Sequence, residues 1–149
     1  MIKVYNLDMK EKLLEVKLYE LGYCSESEYT RVVCVCKYKD KFVFCYNKKR
    51  NGYEIPGGHI EENESWRDAA AREMYEEIGA TKVELTPICV YKISTFALLV
   101  FCEVLEMGNL PIGYETSSIL LSDDLPDNLT YPDTYKKLFK RAKSFLEDE

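Results

Sequence analysis

Histidine is nearly absent from the chain: His59 is the only one in 149 residues, and no Cys-x-x-Cys pair occurs. A zinc site of ordinary ligand spacing is therefore not expected. The six cysteines do not change that reading, because Cys34, Cys36 and Cys45 lie within β-branched and aromatic runs. There a cysteine behaves as a small buried hydrophobe, and free thiols in a reducing compartment are expected. No apolar run approaches the roughly 18 residues needed to span a bilayer. The opening MIKVYNLDMKEK alternates charged and apolar residues and lacks the apolar core of a secretory signal, so no membrane partner and a cytoplasmic address are expected. Positive charge is in the minority, 20 Lys and Arg against 26 Asp and Glu, for a net charge of −6. That balance argues against a non-specific grip on long nucleic acid, which relies on neutralising many phosphates. It does not exclude a single nucleotide carried with its own metal ion. Repeats, low-complexity tracts and linkers are also missing, so residues 1–149 read as one mixed α/β domain.

The elements follow from period and punctuation. Leu14, Val16 and Leu18 alternate with charged or polar neighbours, which suits a half-buried strand, with a short helix as the alternative. Residues 30–38 and 42–46 are rich in β-formers, and Lys39–Asp40–Lys41 between them reads as a hairpin turn. NKKRNG at 47–52 is a polar loop, and YEIPGG at 53–58 is a short strand broken by Pro56 and two glycines. From Ser65 to Ile78 helix formers dominate, with Asn63 or Ser65 as N-cap and Gly79 placed for a left-handed C-cap. Strands are expected at about 82–92 and 95–105, and another over ETSSILLS after Tyr114. A C-terminal amphipathic helix is predicted from Asp133 to Leu146, with Tyr135, Leu138, Phe139, Ala142 and Phe145 available to pack.

Chemistry concentrates between Gly58 and Ala80. On a helix, Glu73, Glu76 and Glu77 are three and four positions apart and share one patch. Like charges so placed cost a few tenths of a kcal/mol per pair. A hard divalent cation would turn that repulsion into attraction, whereas a solvated acidic face is the plainer alternative. Around this cluster the spacing is specific. Gly58 is followed by five residues and Glu64, then by seven more and Arg72–Glu73–Met74–Tyr75–Glu76–Glu77–Ile78–Gly79–Ala80.

This segment resembles the Nudix box, Gly-x5-Glu-x7-Arg-Glu-U-x-Glu-Glu-x-Gly-U, in which U is a bulky or aliphatic residue. All seven fixed positions match, and only the small Ala80 departs in size. The flanking strand pattern, Tyr53–Glu54–Ile55–Pro56–Gly57 and the C-terminal helix are also family-like. The resemblance implies an α/β/α sandwich with a mixed, curved sheet between helices. It implies metal-dependent hydrolysis of a pyrophosphate bond in a nucleoside diphosphate or triphosphate derivative. Glu73, Glu76 and Glu77, joined by the Gly57 carbonyl, match the positions that bind Mg²⁺ or Mn²⁺. Glu64 and Arg72 match a pair that braces loop to helix, while Gly58 and Gly79 have structural roles. The carboxylate that takes the proton of the attacking water lies in the box or on a later loop in different members, leaving Glu76, Glu77 and Glu115 as candidates.

Substrate contacts are less defined. Lys48, Lys49 and Arg50 stand in the loop before the box strand, either to meet phosphates or as a solvated turn. His59 lies beside the metal loop as a bystander or a participant. Tyr91, Phe96 and Tyr114 serve as core or as a surface on which a base stacks. Asn128 is similar in position to a base-reading asparagine of MutT-like members. The short chain and the LPDNL segment also resemble that branch, which cleaves nucleoside triphosphates, oxidised purines included, to monophosphate and pyrophosphate. Hydrolysis of ADP-ribose, a nucleotide sensor that binds without cleaving, and a scaffold module with an acidic helix are the alternatives. Many family members are homodimers, so self-association is a further expectation.

Overall fold

The computed structural model describes residues 15–148. It contains strands β1 (Lys17–Tyr19), β2 (Arg31–Tyr38), β3 (Lys41–Asn47), β4 (Gly52–Glu54) and β5 (Gly57–His59), then helix α1 (Trp66–Ile78). Strands β6 (Ala80–Ile93), β7 (Thr95–Met107) and β8 (Thr116–Ser122) follow, and helix α2 (Pro132–Glu147) ends the described chain. Leu14, one of the residues on which the first strand was expected, lies outside the described residues; Val16 and Leu18 flank and occupy β1.

One eight-stranded sheet runs β1-β6-β7-β2-β3-β4, with β5 paired to β2 and β8 to β3. The β2–β7 pair is parallel and the other pairs are antiparallel, which makes the sheet mixed as expected. Lys39 and Asp40 both take positive φ, 48° and 68°, the conformation of a two-residue hairpin turn. Pro87 cannot donate to a ladder, and the β6–β7 register shifts between Pro87 and Cys89.

Period-two alternation sorts the sheet's side chains onto two helices. Val32, Cys34, Cys36, Val43 and Cys45 join Trp66, Ala69, Ala70, Met74 and Ile78 of α1 in one cluster. Val33, Val35, Phe42 and Phe44 join Tyr135, Leu138, Phe139 and Ala142 of α2 in the other. The result is the α/β/α sandwich, with both sheet faces covered. All six cysteines are free, five of them buried. Among the described residues no helix is long and apolar enough to cross a membrane.

One irregularity positions the site. The β2–β3 hairpin is paired only over Cys36–Tyr38 and Lys41–Val43, and beyond that the two strands part. The segment from Gly52 to His59 enters the fork, pairing first with β3 as β4 and then with β2 as β5. The run expected as one broken strand is thus two, and its glycines belong to the second. Because the segment changes partner at Ile55–Pro56, its end turns straight into the loop that feeds α1.

Candidate active site

Helix α1 starts where Ser65 accepts a hydrogen bond from the Asp68 amide and stops at Gly79, whose φ of 75° is left-handed. Gly79 N–H donates to the Tyr75 carbonyl, so the expected cap is the observed one. One face of α1 packs Ala69, Ala70, Met74 and Ile78 into the core. The adjoining face carries Glu73, Glu76 and Glu77 toward β5.

Arg72 organises this acidic face. Its Nε and Nη2 donate to the two oxygens of Glu64 at 2.8 and 2.9 Å, and Nη2 also donates to the His59 carbonyl at 3.0 Å. Loop, strand and helix are thereby tied at one guanidinium. That ion pair, helped by the Glu61 backbone, holds the Glu64 carboxyl well below its ordinary range, at about 2. Arg72 Nη1 then reaches Glu73 at 2.9 Å and Glu76 at 3.5 Å.

Glu77 is held differently. The Gly57 amide donates to its Oε2 at 2.8 Å, and the Cys45 thiol contacts the same oxygen at 3.7 Å. Burial pushes the Glu77 carboxyl up to about 8 despite the Gly57 amide, and nearby Glu73 and Glu54 add to the rise. Burial also raises Glu73, with Arg72 opposing it. Two carboxylates forced together out of water are a favourable seat for a cation, whose charge would reverse both shifts.

The fit of a hard cation can be judged from the donors. A Cβ added to Gly58 would come within 2.3 Å of Glu73 Oε1, so the carboxylate occupies space that only glycine leaves free. Around it lies an open cavity of about 460 Å³ bounded by Gly57, Gly58, Glu61, Arg72, Glu73, Glu76, Glu77 and Glu115. Among the described residues no three His, Cys, Asp or Glu side chains converge into a ready-made cage. Mg²⁺ characteristically uses one or two carboxylates and completes its shell with water and substrate phosphate. The donor set matches that habit.

A second cavity of about 410 Å³ adjoins the first and shares Arg31, Arg50, Gly57, His59 and Glu77 with it. Its remaining walls are mostly apolar or aromatic, among them Val33, Ile55, Tyr91, Tyr131, Tyr135 and Leu138. Glu115 overlooks the acidic cavity from the entrance to β8. It accepts from Asn47 Nδ2 at 3.3 Å and lies 3.8 Å from Arg50 Nη2.

The structure brings most of the sequence-based candidates together and separates a few. Gly57, Gly58, Glu73, Glu76, Glu77, Arg50 and Glu115 border the acidic cavity, as does Tyr114. Lys48 and Lys49 border neither cavity; Lys49 pairs at 3.6 Å with Glu115 from the solvent side. Asn128 also stands outside both, its side chain donating to the Asn51 carbonyl at 3.3 Å. Its backbone accepts from Tyr53 N–H and seals the edge of β4. Phe96 packs instead with Tyr19 and Tyr23. Arg31, Glu54 and Tyr131 were not expected at the site. Arg31 and His59 are register partners across β2 and β5, so each strand delivers a nitrogen-bearing side chain to the junction.

Comparison with known proteins agrees with this fold. The NUDIX domain family model matches residues 28–108. A Bacillus subtilis (strain 168) protein provisionally named 8-oxo-dGTP diphosphatase YtkD is 30% identical over 101 residues. That match covers 64% of this chain and 63% of the relative, so it spans less than two thirds of the relative's length. A mutant of the Bacillus subtilis pyrophosphohydrolase BsRppH superposes with a TM-score of 0.73 at 24% identity, covering 87% of this chain and 90% of that one. A Caenorhabditis elegans Ap4A hydrolase superposes with a TM-score of 0.56 at 15% identity, covering 80% and 99% respectively. At such identities the superpositions establish the fold.

Proposed function

The chain belongs to the NUDIX family of hydrolases, and from that premise we propose that it cleaves a phosphoanhydride bond of a nucleotide with the help of Mg²⁺ or Mn²⁺. The observation that carries the reading is the pair of adjoining cavities, one walled by three box glutamates and the other by aromatic and apolar side chains, sharing Arg31 and Arg50. A nucleotide has the same two parts. Its phosphate chain fits the acidic cavity when a cation offsets the carboxylates, and its base fits between Tyr91, Tyr131 and Tyr135.

Glu73, Glu76, Glu77 and the Gly57 carbonyl would hold the cation. Bound there, it supplies polarisation of phosphoryl oxygens and neutralisation of leaving-group charge. The chain's own residues do the rest. Arg31, exposed and without an ion pair among the described residues, is free to take a phosphate. Glu115, half exposed at the cavity rim, would accept a proton from an attacking water, with Glu76 and Glu77 as the other candidate acceptors. Arg72 and Glu64 keep the helix carboxylates in register with the loop.

Within this class the reading favours a nucleoside triphosphate cleaved to monophosphate and pyrophosphate. Helix α2 contributes Thr134, Tyr135 and Leu138 to the base cavity, whose volume of about 410 Å³ suits one nucleoside. The provisional name of the Bacillus subtilis relative is in keeping with an oxidised purine. The test is a panel of ordinary and 8-oxo nucleoside triphosphates, ADP-ribose, dinucleoside polyphosphates and coenzyme A, assayed with and without Mg²⁺. Turnover that needs the metal and is lost in Glu76→Gln is expected. Nucleotide binding without turnover on any compound would replace the hydrolase with a sensor.

A further inference from the structure

Glu54 is the least exposed charged residue among those described, at 6%, yet neither the cation seat nor water activation uses it. Four hydrogen bonds meet its carboxylate. Arg50 donates through Nε to Oε2 and through Nη2 to Oε1, both at 3.1 Å. Asn47 Nδ2 donates to Oε1 at 2.9 Å and Thr130 Oγ1 to Oε2 at 2.7 Å. Burial alone would raise this carboxyl, but the donors, Arg50 foremost, more than offset it and hold it below its ordinary range. Every one of these four partners is a donor, the surroundings that suit a carboxylate.

A buried ion pair is weak evidence for stability, since apolar side chains of similar volume often serve a fold equally well. What the pair does accomplish is orientation. The two-point fork takes Nε and Nη2 of Arg50 and fixes the guanidinium plane. No hydrogen bond among the described residues engages Nη1. The loop beneath is held as well, because Asn47 Oδ1 accepts from the amides of Lys49 and Arg50 at 3.0 and 3.1 Å. Arg50 borders both cavities, with its guanidinium 6.0 Å from the Tyr131 ring.

We propose that Glu54 is a positioning residue: it fixes Arg50 at the junction of the two cavities so that the free Nη1 edge meets the phosphate joined directly to the nucleoside. This rests on the reading of the cavities as a phosphate site and a nucleoside site. Glu54 borders the second cavity, but its carboxylate is already taken up by four donors, so its part is to hold Arg50. Removing its charge frees Arg50 to swing toward Glu115 and solvent, so the loss falls on recognition of that one phosphate.

The test compares calorimetric binding of the four common deoxynucleoside monophosphates and 8-oxo-dGMP with binding of their own nucleosides. The full chain is used as wild type, Glu54→Gln, Arg50→Ala and the double variant, each checked by thermal melting. The wild-type preference for monophosphate over nucleoside should fall about tenfold in Glu54→Gln, the range of one charge-assisted hydrogen bond. In every variant the loss of monophosphate binding should exceed the loss of nucleoside binding, and the double variant should be no worse than Arg50→Ala. Should Glu54→Gln not fold, Arg50→Lys keeps the charge but cannot fork, and the same selective loss is expected from it. A preference that survives in the variants, or a loss shared equally by nucleoside and monophosphate, overturns the inference alone. A wild type that binds none of the monophosphates more tightly than its nucleoside overturns the two-cavity reading and this inference with it.

Discussion

Gly57 and Gly58 are neighbours in one strand, and replacing each by alanine should produce opposite failures. Neither has a positive φ, so alanine is permitted by the backbone at both and only the surroundings decide. At Gly57 the new Cβ would meet the Val32 carbonyl at 2.4 Å and Val33 Cα at 2.8 Å. These are backbone atoms of β2, which is hydrogen-bonded on its other edge to β7 and cannot give way. Gly57→Ala should therefore prise β5 from β2 at a cost of about 1–3 kcal/mol, the usual range for overpacking. At about 2–4 °C per kcal/mol for a chain of this size, the melting temperature should fall by roughly 2–12 °C. At Gly58 the Cβ would meet Glu73 Oε1 at 2.3 Å and nothing of the backbone among its nearest atoms. A side-chain end can move away, so stability should change by less than about 1 kcal/mol. The movement needed is roughly 1 Å, to bring the pair to ordinary contact distance, and a misplacement of that size in a catalytic group can cost about 100-fold in rate. Thermal melting and steady-state hydrolysis of the best panel substrate measure the two quantities. A Gly58→Ala enzyme with wild-type turnover would refute the placement of Glu73 as a cation ligand against β5. A Gly57→Ala protein as stable as wild type would refute the fork geometry.

Two further outcomes follow from the same geometry. The Glu64 carboxyl titrates at about 2 in the fold against an ordinary value of 4.5, because of Arg72. A lowered value means its contribution is present above pH 4.5 and is lost as pH falls toward 2. Glu64→Gln should thus be less stable than wild type by about 1–2 kcal/mol between pH 5 and 8, with solvent screening included. The gap between the two melting curves should shrink progressively from about pH 4.5 toward pH 2, and a gap that stays constant down to pH 2.5 would rule out the ion pair as its source. The second outcome concerns the base. Tyr131→Ala should weaken binding of the favoured nucleoside monophosphate about tenfold, within the range for loss of one base–aromatic stack. Asn128→Ala should leave the order of substrate preference unchanged, since its side chain faces Asn51 rather than either cavity; a reversed preference in a competition assay would return the base-reading role to it.

The part of this molecule that can be read from its sequence is the part written in contiguous residues. Residues 30–38 and 42–46 read as strands from their β-branched and aromatic content, and the unbroken apolar run is accounted for because Val32, Cys34 and Cys36 face α1 while Val33 and Val35 face α2. The cap at Ser65 and the stop at Gly79 are local, and both lie where the residues predict. The proposed cation seat is legible for the same reason: Glu73, Glu76 and Glu77 need only helical spacing to share a face. The proposed nucleoside side is not local. Arg31 and Arg50 meet because β2 and the loop after β3 flank one fork, and Tyr131 arrives from the far end of the chain through the segment that seals β4. Composition even misdirects here, since Lys48, Lys49 and Arg50 look equivalent in sequence. What separates them is Glu54, four residues on, whose buried carboxylate can pair with only one of the three. A glutamate in YEIPGG reads as one more polar residue of a short strand, and its burial depends on Thr130 and Asn47 closing over it. Charge in a polar loop therefore says little about function until the buried counter-charge that selects among its members has been found.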